Sequence, residues 1–389
     1  MELRTLTKVS IFAHCVEECS SVSEFFVDVF KKKTSAEIVH VQFPFIFSKS
    51  KAVRVTIESS GQTKEVRSHV RFYRPQALSY IKDFIYALFY GFRYARGSDI
   101  FISGTNLIAL AGIMLRALRV LPKSCKIVYV MIDYTPRRFQ NGILNSLYLF
   151  IDKLAMYYSY QVWPLSEAMI KARFEAERVS REKVRYHVIS SGNKSDNYSA
   201  EWFQKNQVNR IAYLGGVIKS KGAELFIPII RNLINRGFND VIFECVGGGD
   251  IDYLREEARK QGVEDSVKIY GLVEDFSKVE AIMQKCSVAI APYCPHDKNS
   301  FTFFSDPQKI KDYLGWGLPV VLTDVPPNAK DIVTAGAGLL AEYDANDIAA
   351  KIQKIIEDKE VYQRFRQSAI EIGKKYSWTN VLTKAVSGL

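Results

Sequence analysis

The chain has little of what would mark several function classes. Among its 389 residues are six cysteines and five histidines. The cysteines, Cys15, Cys19, Cys125, Cys245, Cys286 and Cys294, are scattered, with no CxxC pair and no histidine at ligand spacing. Neither a zinc site nor a disulfide framework is therefore expected, and a reducing, cytosolic setting fits best. The opening MELRTLTKVSIFAH has no charged stretch followed by a long apolar core, so no secretory signal is expected. The longest uncharged run, Ile100 to Leu115, is interrupted by Ser-Gly-Thr-Asn and reads as strand, loop and helix start, too broken to cross a bilayer.

What is present is a basic bias confined to one half. Residues 1–200 hold 29 Lys and Arg against 17 Asp and Glu, a net +12, whereas residues 201–389 hold 24 against 25. Such asymmetry is either a solvated basic face or a surface for anionic lipid, a polyphosphate substrate or nucleic acid. Nucleic acid ranks lowest, because no recognisable binding module accompanies the charge.

The length suits two α/β cores better than one. In both halves apolar strands alternate with polar turns and amphipathic helices. Strands are expected near 8–13, 37–43, 99–103, 126–132 and 161–164, then near 210–214, 241–246, 267–270, 288–291 and 319–322. That rhythm predicts doubly wound parallel sheets in two Rossmann-like domains facing an interdomain cleft, with ligands at the carboxyl ends of the strands. The polar stretch SSGNKSDNYSAEWFQKN reads as the linker. The expected boundaries are a first domain over 1–195, a linker over 196–207, a second domain over 208–375, and a C-terminal helix over 376–389 packing back toward the first.

Three turns in the second half invite an anion. LGGVIKSKGAE places Gly215 and Gly216 after a strand and Lys219 and Lys221 before a helix, an arrangement suited to phosphate oxygens or simply a surface lysine pair; it is not a Walker P-loop. VGGGDIDY carries Gly247, Gly248 and Gly249; its Asp250 and Asp252 imitate a metal-binding DxD, but Asp250 reads better as a helix cap, and no metal is expected. In FTFFSDPQKIKDYLGWGLPVVLTD, Ser305, Asp306 and Pro307 read as a helix start. Lys309 then sits against the positive end of the helix dipole, which is unfavourable unless an anion is bound there. Lys309 and Asp312 are three apart on one face. The lysine and the first-turn N–H groups would trap a pyrophosphate and the aspartate would accept from a pair of ribose hydroxyls, or the two residues form a surface ion pair.

These motifs, followed by VKIYGLVED, VAIAPY, DIVTAGAGLL and KKYSWTNV, resemble group 1, or family 4, glycosyltransferases of the GT-B fold over roughly 208–389. The resemblance implies that Asp312 stands where the family's acidic residue holds the nucleotide ribose, and Lys221 where a lysine meets the donor diphosphate. Two departures matter: Gly216 falls where the family often has an arginine, and Phe304 where a glutamate usually contacts the donor sugar. Lys309 would replace the missing positive charge, and Asp306 or His296 would contact the sugar, although N-capping accounts for Asp306 more simply.

The first half offers an acceptor site. Asp133 ends a strand and is either a base for an acceptor hydroxyl or the start of a turn. Arg137 and Arg138 follow, either meeting an acceptor phosphate or solvated, and His14 ends the first strand. The segment RFYRPQALSYIKDFIYALFYGFRYARG is a helix apolar almost all round, either buried or lying on a membrane. The reading reached is a metal-independent glycosyltransferase with no cofactor beyond its nucleotide-diphosphate sugar co-substrate. Its acceptor would be a lipid-linked or polysaccharide hydroxyl in cell-surface glycan synthesis, and its place the inner face of an anionic cell membrane. Lys309 and Asp133 would carry the chemistry, and the donor would be held by Gly215, Gly216, Lys219, Lys221, Gly248, Ser305, Asp306, Lys309 and Asp312. The acceptor would meet His14, Arg137 and Arg138. A nucleotide-sugar epimerase and a non-catalytic membrane-associated partner of the same fold are the rivals, and the stereochemical outcome stays open.

Overall fold

In the computed structural model all residues are described except 1–4, 16–21, 46–47, 49, 72–75, 135–136, 177–178, 195–208 and 297–299. The linker expected over 196–207 lies outside the described residues. The chain divides into two compact units, residues 1–190 with 382–389, and residues 191–381.

The first unit is built on a seven-stranded sheet: β1 (Lys8–Cys15), β2 (Glu37–Pro44), β3 (Ala52–Ser59), β4 (Gln62–His69), β5 (Ile100–Ser103), β6 (Lys126–Met131) and β7 (Gln161–Pro164), in the order β4-β3-β2-β1-β5-β6-β7. Five of these strands are parallel and were expected. The remaining two, β3 and β4, are an antiparallel hairpin that a purely parallel sheet does not anticipate. Its sequence explains it. AVRVTIES alternates apolar and polar residues, and Ser60 and Gly61 both take positive φ, 50° and 79°, as a two-residue hairpin turn requires. The outer strand, QTKEVRSH, is almost wholly exposed, so hydrophobic patterning gives little sign of it. Helices α1 (Val22–Lys33), α2 (Gln76–Tyr94), α3 (Asn106–Ala117), α4 (Gly142–Tyr158) and α5 (Glu167–Ala176) complete the unit. At its base Tyr129 donates to Asp152 at 2.6 Å, and the same buried carboxylate is paired with Arg173.

The second unit carries six parallel strands: β8 (Arg210–Leu214), β9 (Ile242–Val246), β10 (Val267–Gly271), β11 (Val288–Ala291), β12 (Val320–Leu322) and β13 (Gly338–Leu340), in the order β10-β9-β8-β11-β12-β13. The last, three residues long, is an addition to the sequence reading. Along β8, Ile211 and Tyr213 enter one buried cluster while Ala212 enters the other. Both faces of the central strands are covered, which is why β11 and β12 read as unbroken apolar runs, whereas β10 at the sheet edge exposes Lys268 and Tyr270. The strand order reverses between β8 and β11, and a doubly wound sheet opens a crevice at that point.

The helix expected from Ser305–Pro307 begins later, as α9 over Gln308–Gly315, counting α6 (Ala223–Asn235), α7 (Ile251–Lys260) and α8 (Phe276–Met283) before it. Pro307 occupies the cap position and no side chain caps it, so the expected N-cap role of Asp306 is corrected. Its carboxylate is instead buried against Lys311, 3.3 Å away, accepts from Asn328 at 2.7 Å and from the Ser191 N–H at 2.9 Å, and burial pushes its pKa up. Removing one member of a fully buried pair strands the other. Asp306→Ala is therefore expected to destabilise the second unit by about 3–5 kcal/mol, whereas Asp306→Leu combined with Lys311→Met recovers most of that loss. Urea unfolding followed by tryptophan fluorescence checks both.

Candidate functional site

Two glycine turns form the floor of the crevice in the second unit. The turn after β8 and the turn after β9 cross so closely that their backbones bond to each other: Gly215 N–H to Val246 O at 2.8 Å, Val217 N–H to Gly248 O at 2.7 Å, and Asp250 N–H to Val217 O at 2.9 Å. A Cβ on Gly247, whose φ is 144°, would lie 2.0 Å from the Gly215 carbonyl oxygen. Sequence reasoning took these glycines to admit a ligand. For Gly247 and Gly249 the structure gives another cause, since it is the facing backbone that excludes a side chain there. Gly248 differs: a Cβ there would meet only Leu272 Cβ, at an ordinary contact distance of 3.9 Å.

Two lysines reach over this floor. A Cβ placed on Gly215 would sit 3.5 Å from Lys309 Nζ, and one on Gly216 would sit 3.6 Å from Lys221 Nζ. Lys309 leaves the first turn of α9 and directs its ammonium inward, 4.2 Å from the centre of the Tyr213 ring and 4.9 Å from that of Tyr293. Its Nζ is buried and makes no hydrogen bond. Burial drives its pKa well below the usual lysine range, and the charge of Lys221 lowers it further. Lys221 is itself lowered by burial. The ring faces attract a cation, but an aromatic contact does not replace a lost hydration shell. Among the described residues no acidic side chain pairs with Lys309.

The tyrosines were missed by the sequence reading. Tyr213 and Tyr293 end or follow the two strands at the switch point, and the Tyr213 hydroxyl donates to Gly216 O at 2.7 Å, fixing the glycine turn. Tyr313, from α9, accepts from the Leu214 N–H at 2.6 Å. The only sequence signal was position, aromatic residues at the ends of two central strands.

Asp312 is buried on the same helix, but no ion pair joins it to Lys309 among the described residues. Its surroundings are Gln308, the Lys194 N–H at 3.4 Å and, more distantly, Glu280. Burial raises its pKa to about 7, against the opposing pull of Lys194. The Lys194 ammonium lies 3.9 Å from the Phe276 ring centre. Lys219 is exposed, in the short turn before α6. Ser305 is part-buried, and its N–H bonds to Phe301 O rather than opening the helix. Asp250 caps α7 through the Tyr253 N–H, and Asp252 pairs with Arg255. His296 is exposed, edge-on to Tyr343. Phe304 is part-buried.

In the first unit the candidates gather at the carboxyl ends of the strands. His14, at the end of β1, places Nε2 3.2 Å from Asp83 on α2 and is flanked by the rings of Phe43 and Phe45, while its Nδ1 is buried without a hydrogen-bond partner. Asp133 is exposed, its carbonyl fixed by Arg173 at 3.1 Å. Arg137 donates to the Gln140 carbonyl at 2.6 Å, and Arg138 donates from Nε to the Tyr80 hydroxyl at 2.8 Å. Burial opposes the charge on Arg138, yet Tyr80 and then Asp133 hold its pKa above the ordinary arginine value.

Residues 208–358 match the family model of the glycosyl transferases group 1. This bears out the resemblance drawn from the motifs over that segment. No curated protein sequence matches the chain. Among solved structures the fold is shared with HepE of Anabaena bound to UDP, at 13% identity and a TM-score of 0.67 over 98% of this chain and 100% of that one. Sucrose-phosphate synthase of Thermosynechococcus elongatus superimposes with a TM-score of 0.68 at 13% identity, over 98% of each chain. WaaG, a glycosyltransferase involved in lipopolysaccharide biosynthesis, superimposes with a TM-score of 0.64 at 12% identity, over 98% of this chain and 99% of that one. The likeness is one of fold, and the fold is GT-B.

A lysine forced toward its neutral form destabilises the protein only where the unfolded chain would be protonated. Above the ordinary value of 10.5 both states are neutral and the cost vanishes; below it the cost grows until the folded pKa is reached. Lys309→Met is therefore expected to stabilise the unliganded second unit at pH 7, with the gain shrinking toward zero as pH approaches 10.5. Thermal unfolding of the two proteins across pH 7–10 measures it.

Proposed function

We propose that the chain is a glycosyltransferase whose second unit takes a nucleotide-diphosphate sugar and whose first unit presents an acceptor hydroxyl. The observation that carries this reading is the buried, unpartnered ammonium of Lys309 beside Lys221, above a glycine floor at the switch point of a parallel sheet. A diphosphate supplies the missing charge. Its departure as a leaving group is what two pre-positioned cations stabilise, with no metal required for that step. Asp312 would hold the ribose and Asp133 would accept the acceptor's proton. HepE, crystallised with UDP and with UDP-glucose, is in keeping with such a donor.

The acceptor is proposed to be lipid-linked or a polysaccharide, in cell-surface glycan synthesis, with the protein peripheral on the inner face of an anionic membrane. No helix among the described residues is long and apolar enough to cross a membrane. Support for a peripheral placement comes from α2. Ala87 and Tyr90 on this helix are buried, while Leu78, Ile81, Ile85, Phe89 and Phe92 are exposed along its other side, a pattern that fits a helix lying on lipid.

A thermal-shift panel of nucleoside diphosphates and their sugars tests the donor site. One base is expected to stabilise the protein, and Lys309→Ala and Asp312→Ala each to weaken its binding roughly 10- to 100-fold, as loss of a charge-assisted hydrogen bond would. Unchanged shifts in both variants would remove these residues from the site. Because ribose recognition needs the ionised carboxylate and burial raises the pKa of Asp312 to about 7, donor affinity below pH 7 is expected to fall more steeply in the parent than in Asp312→Asn. NMR of the product's anomeric configuration gives the stereochemical course.

A further inference from the structure

Helix α3 packs against both α2 and α4, but the three helices leave an opening on the surface they share. Between them lies a cleft of about 210 Å³, lined by Phe84 from α2, Leu107 and Leu110 from α3, and Leu147 and Ile151 from α4. Its lining is almost entirely carbon, yet Ile81, Leu147 and Phe150 around it stand more than half exposed, at 57, 52 and 56%. A gap in a core would be sealed from water, whereas this one opens on an apolar surface. A sugar or peptide placed there would leave its polar groups unmatched; a hydrocarbon would not.

The rim has a different chemistry. Tyr80, Phe139 and Tyr148 pack edge to face around it, with ring centres 5.3, 5.9 and 6.4 Å apart. Arg138 is held at this collar by its bond to the Tyr80 hydroxyl, and its guanidinium lies 6.0 Å from the Tyr80 ring centre. A planar, fixed fork of donors at the entrance to an apolar slot is complementary to a phosphate that carries a tail. Arg137 adjoins Arg138, and the carboxylates that act on this collar are Asp133, on Arg138, and Asp152, on Tyr148.

We propose that this cleft binds a single-chain hydrocarbon phosphate, the tail between α2, α3 and α4 and the phosphate on Arg138. Resting on the glycosyltransferase reading, this makes the acceptor a lipid phosphate whose hydroxyl-bearing end extends toward Asp133. The cleft is part of the first unit alone.

The full chain is titrated calorimetrically with hexyl, octyl and decyl phosphate below their micelle thresholds, and with inorganic phosphate and decyl glucoside as head-alone and tail-alone probes. Affinity is expected to rise roughly fourfold per added methylene, the factor for burying one CH₂, and inorganic phosphate to give no measurable heat. Arg138→Gln should abolish the preference for decyl phosphate over decyl glucoside. Leu147→Trp, which fills the cleft from an exposed position, should flatten the chain-length dependence without changing the unfolding temperature, and Leu110→Trp should do the same from the opposite wall. A chain-length dependence that survives both tryptophans overturns the proposal, as does equal binding of decyl phosphate and decyl glucoside by the parent. Tighter binding of monomeric dihexanoyl phosphatidic acid than of decyl phosphate would also overturn it, by assigning the cleft to two-chain lipid. Nucleotide thermal shifts on the same preparation separate the two readings: a retained nucleotide response without alkyl phosphate binding sinks the lipid site alone, and the reverse sinks the donor site alone.

Discussion

An ammonium group buried with no ion-pair partner among the described residues is the constraint around which the second unit is arranged. Lys309 cannot be relieved by water, because its Nζ is covered, nor by Asp312, which lies among other partners. Partial compensation comes from two tyrosine faces. One of those tyrosines fixes the glycine turn below it, so the same group that lessens the cost of the charge also sets the floor on which an anion would rest. An anion reaching Lys309 would favour the charged form that burial disfavours in the empty site.

Much of this was legible in the chain. A lysine in the first turn of a helix conflicts with the helix dipole, and that local conflict marked Lys309 without any knowledge of its neighbours. Most of the parallel strands were legible because burial on both faces makes them predominantly apolar. The β3–β4 hairpin was not, because its outer strand is exposed and polar, and its only marker, the Ser60-Gly61 turn, is two residues long.

Partnerships across distance were hidden for a plainer reason. Asp306 had a local explanation as a helix cap, and only the fold reveals that Lys311, Asn328 and Ser191 converge on it. Tyr213 and Tyr293 are eighty residues apart and meet only once β8 and β11 pair. In the first unit, the ambiguity between a buried and a membrane-lying helix was real: α2 has one face of each kind.

The crossing of the two glycine turns limits how this sequence can vary. At Gly247 the obstacle to a side chain is a main-chain carbonyl, which every amino acid possesses, so no second change at Gly215 could make room. Lineages descending from this protein can exchange lysine for arginine above the floor, or one aromatic wall for another, by ordinary paired drift. At Gly247 and Gly249 there is no such neighbouring route, and these two glycines should outlast the residues above them.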